Sequence, residues 1–534
     1  MSVRAFSILF AAASAFGQPV ISPYGIVNNG SYVPYALRNY GIAQGSVFAI
    51  FGSKLGPDTL VKAESFPLKT EVGGTSVRVT SFGVAVDAYP LYVTQGQIGA
   101  LMPSNAPLGT ASVTVTYNGQ TSAPVETVVV RRSFGAFTAN QSGSGPAIAF
   151  NYVSAIDQPL NSVLTPARPG QVVTLWGTGL GPVAGDETAG PLPGDLDVRM
   201  NVQVAGIPAR VLYKGRSGCC AGIDQINIEV PASVQGCYLP VFIQPGQTPS
   251  QLAGNVTPTE GTATEQITIA VTANGEPCSD PAGLTGAEIS AMEKKGGIRL
   301  GWLWLENSRD GAVGTANFAN FDSASMLARL GVFGLPSPGT GMMAYMVAGG
   351  AGWPAPNPLD AGSLVLTGPG GSFAFTRKAS GEYTLETPAT LPAGSYTLRN
   401  GDGGKDVAAF TATFLVPPPL NWLNPNEVTQ YANYQPRWTG GDPNGFVIAR
   451  SELSNNVAKL LTLDLARADA GSMQFWSGAA RNPPRGSVLG VLYTGRFGSE
   501  NVRFSISPFT PVRFTAPGLD VGLIAAGFFD SRTF

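Results

Sequence analysis

The chain has 534 residues and a formal net charge of −2, and its charged residues make up 12% of the total, against roughly 25% in average domains. This balance gives no electrostatic case for nucleic acid or an anionic membrane surface as partner. The absence of histidine excludes Ser-His-Asp and Cys-His catalysis and almost all catalytic zinc sites. A carboxylate pair, a Ser-Lys dyad and an oxygen-ligand metal site remain open. Because the sequence shows no catalytic motif either, we expect a protein that is not an enzyme and that needs no cofactor.

The remaining composition predicts the fold class. The chain contains 68 glycines and 43 prolines, yet 44% of its residues are apolar. Many turn-forming residues between short apolar runs are typical of β-sandwiches rather than of helices or disorder. The composition therefore predicts an all-β protein, with room for three or four domains.

The N-terminus predicts a signal peptide over residues 1–17. Arg4 supplies a positive charge, residues 5–15 form a short apolar core, and Ala15 and Gly17 are small residues at the positions that precede cleavage. The alternative is a buried first strand or helix. No later stretch approaches 18 uninterrupted apolar residues, so we predict no transmembrane helix. We expect a protein that is secreted or held in the cell envelope, in the periplasm or on the outer surface.

An internal repeat follows. Residues 45–57 (GSVFAIFGSKLGP) match residues 170–182 (GQVVTLWGTGLGP) in the pattern of a β-strand closed by glycines and a Leu-Gly-Pro turn. Both halves also carry a Gln-Ile pair, Gln97-Ile98 and Gln225-Ile226, a few residues before a proline. The two strand segments lie 125 residues apart, and the Gln-Ile pair follows in the same order in both halves. This indicates duplication of a whole domain.

We therefore predict two tandem copies of one Ig-like β-sandwich, residues 22–132 and 133–276. The alternation of valine and threonine over residues 112–116 is typical of a half-buried strand. Asn118-Gly119 then predicts a type I′ hairpin turn between two strands.

Three motifs in this region resemble a known family. They are the opening Val-Asn-Asn-Gly-Ser-Tyr at 27–32, the paired Leu-Gly-Pro segments with their Gln-Ile elements, and Pro-Ala-Arg-Pro-Gly at 166–170. Together they are similar to the Solibacter-type uncharacterised domain family of exported bacterial proteins, which is related in pattern to IPT/TIG-like immunoglobulin folds. The resemblance covers residues 22–280. It implies an Ig-like fold and export, and it implies no activity.

Export makes the four cysteines candidates for disulfide bonds. They are Cys219, Cys220, Cys237 and Cys278. Adjacent cysteines rarely bond to each other because the ring is strained, so we expect Cys219 and Cys220 to pair with Cys237 and Cys278, in an order that the sequence leaves open. A metal site is the alternative, but the spacing is not that of paired CxxC motifs and no histidine is present.

The second half predicts two further β-sandwich domains, residues 285–418 and 419–534, separated by a stiff linker at Pro417–Pro419. A Leu-Pro-Ala-Gly-Ser-Tyr-Thr-Leu segment at 391–398 resembles a strand of transthyretin-like and carboxypeptidase-regulatory-like domains. The periodicity of residues 452–470 fits either a helix or a strand.

Two sites in the second half are candidates for ligands. Trp302 and Trp304 lie two apart and so share one face of a predicted strand, where indoles can stack on sugars or fill a core. Apolar residues on both faces of this strand favour the core. Asp402 and Asp406 lie in a Gly-rich segment that is a candidate calcium loop or an ordinary turn, and turn preferences favour the latter.

The function that these patterns favour is a non-catalytic, exported adhesion, scaffold or surface-binding protein, whose partner is an unidentified envelope protein or a polysaccharide. The alternative is a secreted protein that binds or degrades carbohydrate, with its site in the C-terminal half. Scattered aspartates such as Asp195 and Asp224 show no spacing that pairs two carboxylates for glycoside hydrolysis.

Overall fold

A computed structural model describes residues 17–33, 35, 40–245, 267–280, 283–321, 335–347, 357–427, 434–454, 458–473 and 503–533. The predicted signal peptide lies almost wholly outside the described residues. Within them the chain is built of β-strands with a single α-helix, α1 (Gly286–Lys295), and two short 3-10 helices, Pro425–Glu427 and Ala468–Ala470. The predicted all-β class is confirmed. No helix in the described ranges has the length and hydropathy to cross a bilayer.

The first repeat is a single sheet that folds over its own core. Its strands are β1 (Val20–Asn28), β2 (Ile42–Ala43), β3 (Val47–Ser53), β4 (Val61–Lys62), β5 (Glu71–Val72), β6 (Thr75–Ser81), β7 (Val84–Val93), β8 (Gln97–Leu101), β9 (Gly109–Tyr117), β10 (Gln120–Thr121) and β11 (Val125–Val130). The main order is β1-β3-β8-β7-β6-β9-β11-β2.

Strand β7 connects the two layers of this repeat. Its first half pairs with β6 and its second half with β8, so one strand contributes to both layers. Fully buried Phe48 and Ile50 from one layer pack against Val77 and Val113 from the other. The predicted hairpin is confirmed, because Tyr117 pairs with Gln120 and the two residues between them have positive φ, as a type I′ turn requires.

The second repeat has the same plan with its two layers separated. Its strands are β12 (Gly135–Ala136), β13 (Gly145–Pro146), β14 (Ala149–Asn151), β15 (Val172–Thr178), β16 (Gly194–Asp195), β17 (Met200–Val204), β18 (Ile207–Pro208), β19 (Arg210–Arg216), β20 (Asp224–Glu229), β21 (Gly236–Pro245) and β22 (Ile267–Val271). One sheet has the order β12-β15-β20-β19-β16, and the other β13-β22-β21-β17-β18.

Strand register confirms the repeat. Ile50 of β3 faces Ile98 of β8, and at the corresponding position of the second copy Leu175 of β15 faces Ile226 of β20. In each copy a two-residue strand, β2 or β13, pairs in parallel with the last strand, β11 or β22. The Gln-Ile elements of the sequence therefore occupy one structural position in both copies.

The C-terminal unit follows α1. Its strands are β23 (Ile298–Ser308), β24 (Gly311–Phe321), β25 (Thr340–Val347), β26 (Asn357–Pro358), β27 (Val365–Gly368), β28 (Gly371–Ala374), β29 (Thr376–Arg377), β30 (Tyr383–Thr387), β31 (Gly394–Arg399), β32 (Thr411–Val416), β33 (Asn421–Trp422), β34 (Trp438–Thr439), β35 (Phe446–Ser454), β36 (Ala458–Arg467), β37 (Arg503–Phe514), β38 (Val521–Phe528) and β39 (Asp530–Thr533). In the segment with ambiguous periodicity, residues 452–454 lie in β35 and residues 458–467 form β36, which pairs with β35 in antiparallel fashion, and residues 468–470 form the second 3-10 helix.

The boundary predicted between residues 418 and 419 divides a sheet and needs correction. The large sheet has the order β25-β36-β35-β37-β38-β23-β24-β30-β29, so β23 pairs in parallel with β38 from the end of the chain. The core beneath it likewise joins Leu303 and Tyr396 to Phe514 and Ile524. The physical reason is that an apolar strand at a sheet edge leaves backbone N–H and C=O groups unpaired, and β23 avoids this by pairing with β24 on one edge and β38 on the other. The smaller sheet, β28-β27-β31-β32, covers this core.

Candidate functional site

A buried polar site lies at the contact between the two repeats. The side chain of Arg216, at the end of β19, is 1% exposed. A buried guanidinium is costly unless each donor meets an acceptor. Its Nε donates to Glu187 at 2.8 Å and its Nη1 to Asp224, and both of these carboxylates are also buried.

The remaining guanidinium nitrogen joins the two repeats. Nη2 of Arg216 donates to the backbone carbonyl of Gly181 at 3.0 Å and to that of Gly45, in the first repeat, at 2.5 Å. Asp224 also accepts a hydrogen bond from the backbone of Leu180 at 2.7 Å. Burial acts to lower the pKa of Arg216, but Asp224 and Glu187 raise that pKa above its ordinary value. The guanidinium therefore remains charged and fixed in place.

Asn28, from the opening motif of the first repeat, makes a second polar bridge. Its Nδ2 donates to the carbonyl of Ser133 at 2.9 Å and to that of Thr178 at 3.3 Å, in the second repeat. Its Oδ1 accepts from the backbone of Gly30 at 2.7 Å and Ser31 at 3.1 Å. The Asn28 side chain thus stabilises the turn that follows it and also hydrogen-bonds to the second repeat.

Close packing completes this junction. Ala221 of the second repeat is buried against Leu68 and Leu101 of the first. A Cβ atom placed on Gly30 would lie 2.2 Å from the carbonyl oxygen of Gly135, so the two backbones meet where no side chain fits. We call the surfaces around Arg216, Asn28, Ala221 and Gly30 the repeat junction.

Sequence motifs that indicated a family meet at this junction. Two of the three contribute to it: the opening motif at 27–32 through Asn28, and the Leu-Gly-Pro turn at 180–182 through Leu180 and Gly181. Arg216 and Glu187 were not predicted as site residues from the sequence, because a charged residue is exposed by default. The available signal was the position of Arg216, three residues before the adjacent cysteines Cys219 and Cys220.

The disulfide of the second repeat differs from the expected pairing. Cys237 is bonded to Cys278, with Cα atoms 5.8 Å apart, whereas Cys219 and Cys220 are free and exposed. Cys237 lies at the start of β21 and Cys278 follows its neighbour β22, so sheet pairing brings them together. Cys219 and Cys220 lie on the loop between β19 and β20, in the other sheet.

The two tryptophans share one face of β23 and pack into two apolar clusters. Trp302 is half-buried near Phe321, with ring centroids 6.3 Å apart, in the cluster covered by α1. Trp304 is half-buried against Phe509, at 5.7 Å, and Phe529, at 6.4 Å. Both indoles therefore contribute packing area to the sheet.

The acidic segment with Asp402 and Asp406 forms a turn. Asp402 is exposed, and Oδ2 of Asp406 accepts a hydrogen bond from the backbone of Asp360 at 2.8 Å. Gly401 and Gly403 both have positive φ. Over the residues that the structure describes, no group of three or more cysteine, aspartate or glutamate side chains is placed to hold a metal ion.

An open cleft of about 550 Å³ lies at the end of the large sheet. Its polar lining includes Glu306, Asp310, Glu386 and Arg503, beside apolar Val313 and Phe529. Val313 of β24 pairs with Glu306 on one side and Glu386 on the other, so the sheet places two carboxylates in one row. This pair was not detectable from sequence spacing, because 80 residues separate its members.

One carboxylate of the cleft is already engaged. The oxygens of Glu306 accept from Arg450 at 2.5 and 3.0 Å, and Oε1 also accepts from the indole of Trp304 at 2.9 Å. The guanidinium of Arg450 lies 4.5 Å from the ring centroid of Phe529. Because both oxygens of Glu306 are bound, the cleft offers acceptors and a cation for hydrogen bonding rather than a poised acid–base pair.

The comparisons with known proteins give only solved structures of low identity and low TM-score. No family model and no characterised protein matches the chain. Among solved structures, the I9–I11 tandem of titin is 7% identical, with 70% of this chain and 93% of that chain covered and a TM-score of 0.12. Domains 5–6 of the S-layer protein SbsC are 14% identical, with coverage of 48% and 100% and a TM-score of 0.17. Domains 4–9 of SbsC are 12% identical, with coverage of 97% and 65% and a TM-score of 0.18.

Proposed function

We propose that this chain is an exported, non-catalytic scaffold or adhesion protein whose two Ig-like repeats act as one rigid unit. The observation that carries the proposal is the hydrogen bond from buried Arg216 to the first repeat. Domains joined in one chain move relative to each other by default. The buried ion triad of Arg216, Glu187 and Asp224 lies within the second repeat and fixes the guanidinium that donates to Gly45 of the first. Separation of the repeats would break that hydrogen bond and would expose the apolar contact of Ala221 with Leu68 and Leu101.

A scaffold protein must hold its binding loops at fixed distances from one another, and a flexible linker between domains does not do this. β-sandwich repeats present their loops at fixed positions, and binding residues are often carried on such loops. The absence of histidine supports a binding role over a catalytic one. The resemblance of residues 22–280 to the Solibacter-type family supports export, and we propose membership of that family on the motifs that meet at the repeat junction.

The rigidity is tested by measuring a distance between the repeats. Phe82 in the first repeat and Ile156 in the second are 84% and 99% exposed, so cysteines at these positions accept spin labels without disturbing the core. The labelling background replaces Cys219 and Cys220 by serine. We expect one narrow distance distribution, which Arg216→Met broadens. A broad distribution in the chain with Arg216 present contradicts the proposal.

Export and binding are tested separately. Cell fractionation is expected to place the protein in the envelope or medium, and a cytoplasmic location would contradict export. Capture of envelope components by the purified chain identifies the partner. Robust turnover of any substrate by the purified chain would contradict the non-catalytic assignment.

A second candidate function is the binding of a polysaccharide in the cleft at the end of the large sheet. The lining of Glu386, Asp310 and Arg503 beside Val313 offers acceptors, a cationic donor and an apolar surface, which together suit a polyhydroxylated chain. Retention on a panel of immobilised polysaccharides tests it, with Glu386→Gln and Arg503→Gln expected to reduce retention. Glu382→Gln is the matched control, because Glu382 directly precedes β30, the strand of Glu386, and lies outside the cleft lining. Equal retention by all variants would contradict binding in this cleft.

A further inference from the structure

Two adjacent thiols lie exposed beside the repeat junction. Cys219 and Cys220 take no part in the Cys237–Cys278 disulfide. They lie on the loop between β19 and β20, three and four residues after buried Arg216. Two exposed thiols at neighbouring positions are chemically reactive in a protein whose other two cysteines are oxidised.

The loop holds these thiols in place from both sides. The backbone N–H of Ser217 donates to Ile223 at 2.9 Å and closes the loop. Ala221 is anchored in the apolar cluster of the junction, and the N–H of Gly222 donates to Glu187 at 3.3 Å. The cysteines are therefore confined to a short segment whose two ends are fixed, which keeps the local concentration of one thiol near the other high.

The two thiols also interact with each other. Partial burial and a hydrogen bond with Cys219 raise the pKa of Cys220 to about 11. Cys220 therefore stays protonated at neutral pH, which disfavours it as the first nucleophile. Oγ of Ser217 lies 3.2 Å from Sγ of Cys219, within reach of a hydrogen bond to that sulfur.

We propose that Cys219 and Cys220 are a redox-active pair that closes into a vicinal disulfide by exchange with a small-molecule or protein disulfide, and reopens while Cys237–Cys278 stays closed. In the first step the Cys219 thiolate attacks one sulfur of the oxidant, and the other sulfur leaves as a thiol. In the second, Cys220 loses its proton and attacks the mixed disulfide at the sulfur of Cys219, releasing the second thiol. The pair loses two electrons and two protons, and the oxidant gains both.

Geometry makes this bond labile. Adjacent Cα atoms lie about 3.8 Å apart across a trans peptide, below the range of about 4.4–6.8 Å that relaxed disulfides span. A strained, exposed disulfide is more easily reduced than a structural one. Cys278 is only 7% exposed, so the second disulfide is shielded from the same reductant. This proposal is independent of the proposed scaffold function, because the redox reaction involves only the two cysteines of the loop.

The test is a redox titration of the full chain in mixtures of oxidised and reduced glutathione. Samples are quenched with acid, alkylated with N-ethylmaleimide and cleaved after aspartate, which separates residues 198–224, with both adjacent cysteines, from Cys237 and Cys278. We expect the 198–224 peptide to change from doubly alkylated to unalkylated, and the unalkylated peptide to be two hydrogen atoms lighter than the reduced, unmodified peptide. That change should occur at a more oxidising glutathione ratio than closure of Cys237–Cys278.

Single variants provide the control. In Cys219→Ser and in Cys220→Ser the remaining thiol cannot close a ring, so it is expected to accumulate as a glutathione adduct under the same oxidising conditions. Both positions are exposed, and both variants are expected to fold. Three outcomes each overturn the proposal: two free thiols at every ratio, a stable glutathione adduct as the end state of the unmodified chain, or a disulfide to a second chain.

Discussion

Arg216 in the second repeat donates a hydrogen bond from Nη2 to the backbone carbonyl of Gly45 in the first, at 2.5 Å. The same guanidinium pairs with Glu187 and Asp224, whose side chains are 5% and 0% exposed. The orientation of one repeat relative to the other is therefore coupled to the pairing of three buried charges. We expect a change in the relative orientation of the repeats to disturb these ion pairs, and the loss of an ion pair to change that orientation.

The first prediction is that Arg216→Met destabilises the chain strongly. Loss of one partner from a buried ion pair costs about 3–5 kcal/mol, because the remaining charges stay buried without compensation. Equilibrium denaturation in urea measures the change in the free energy of unfolding. Arg210→Met is the matched control on the same strand, since Arg210 is 71% exposed and pairs at the surface with Glu229. We expect it to cost below about 1 kcal/mol, and equal costs for both variants would contradict a special role for Arg216.

The second prediction concerns the contact of two backbones at the junction. Gly30→Ala places a Cβ atom 2.2 Å from the carbonyl oxygen of Gly135, so the repeats must move apart. We expect a cost of about 1–3 kcal/mol, as for overpacking in a core, and a longer distance between spin labels on the two repeats. Gly119→Ala is the control: it strains a residue with positive φ but meets nothing within 4 Å. An unchanged interrepeat distance in Gly30→Ala would show that the junction is not closely packed there.

Sequence patterns predicted the features of this molecule that depend on local order. Alternation and turn chemistry act over a few residues, so they predicted strands β3 and β15, the strands that carry the Gln-Ile elements, and the Asn118-Gly119 turn. Because the domain is duplicated, the pairing of Ile50 with Ile98 in the first copy has its equivalent in the pairing of Leu175 with Ile226 in the second.

The features that the sequence did not predict depend on long-range pairing. The union of β23 with β38 brings together Leu300 and Val521, and nothing local marks that contact. The cysteine pairing was wrong for the same reason, since the adjacency of β21 and β22 decides it. The burial of Arg216 depends on the first repeat, which supplies the carbonyl of Gly45.

The third prediction separates a packing role from a binding role for Trp304. Replacement of a buried aromatic residue by alanine costs about 3–5 kcal/mol, and because this indole is half-buried we expect about 2–3 kcal/mol for Trp304→Ala. Val313→Ala, at a position 48% exposed on the neighbouring strand, is expected to change stability by less than about 0.5 kcal/mol. Thermal unfolding measures both. Full stability of Trp304→Ala together with lost polysaccharide retention would instead assign the indole to a binding site.

The fourth prediction is a pH dependence at the start of α1. A hydrogen bond from Arg513, with a further one from the backbone of Thr285, lowers the pKa of Glu288 to about 2. A carboxyl whose folded pKa is lowered stabilises the fold above its unfolded pKa of about 4.5, and that contribution is lost as the pH falls toward about 2. Because Arg513 and Glu288 are 46% and 36% exposed, the loss should stay below about 1 kcal/mol.

Glu288→Gln should remove this contribution at neutral pH and reduce the further loss of stability in acid. Urea denaturation at about pH 6 and about pH 3 measures the difference between the two chains. Glu382→Gln, which breaks the exposed ion pair with Lys378, is the comparison and should leave the contribution of Glu288 in place. An identical acid response in Glu288→Gln and the unmodified chain would contradict the prediction.

The fifth prediction tests the shared sheet of the C-terminal unit. Residues 285–418 include β23 but lack β38, which pairs with it over eight positions from Leu300 to Asn307. Without that neighbour β23 becomes an exposed apolar edge, and the core loses Phe514 and Ile524. We expect the isolated fragment 285–418 to show no cooperative thermal transition, whereas a fragment of residues 285–534 unfolds cooperatively. A sharp transition in the shorter fragment would mean that its own strands suffice, and the boundary predicted at residue 418 would then describe a real folding unit.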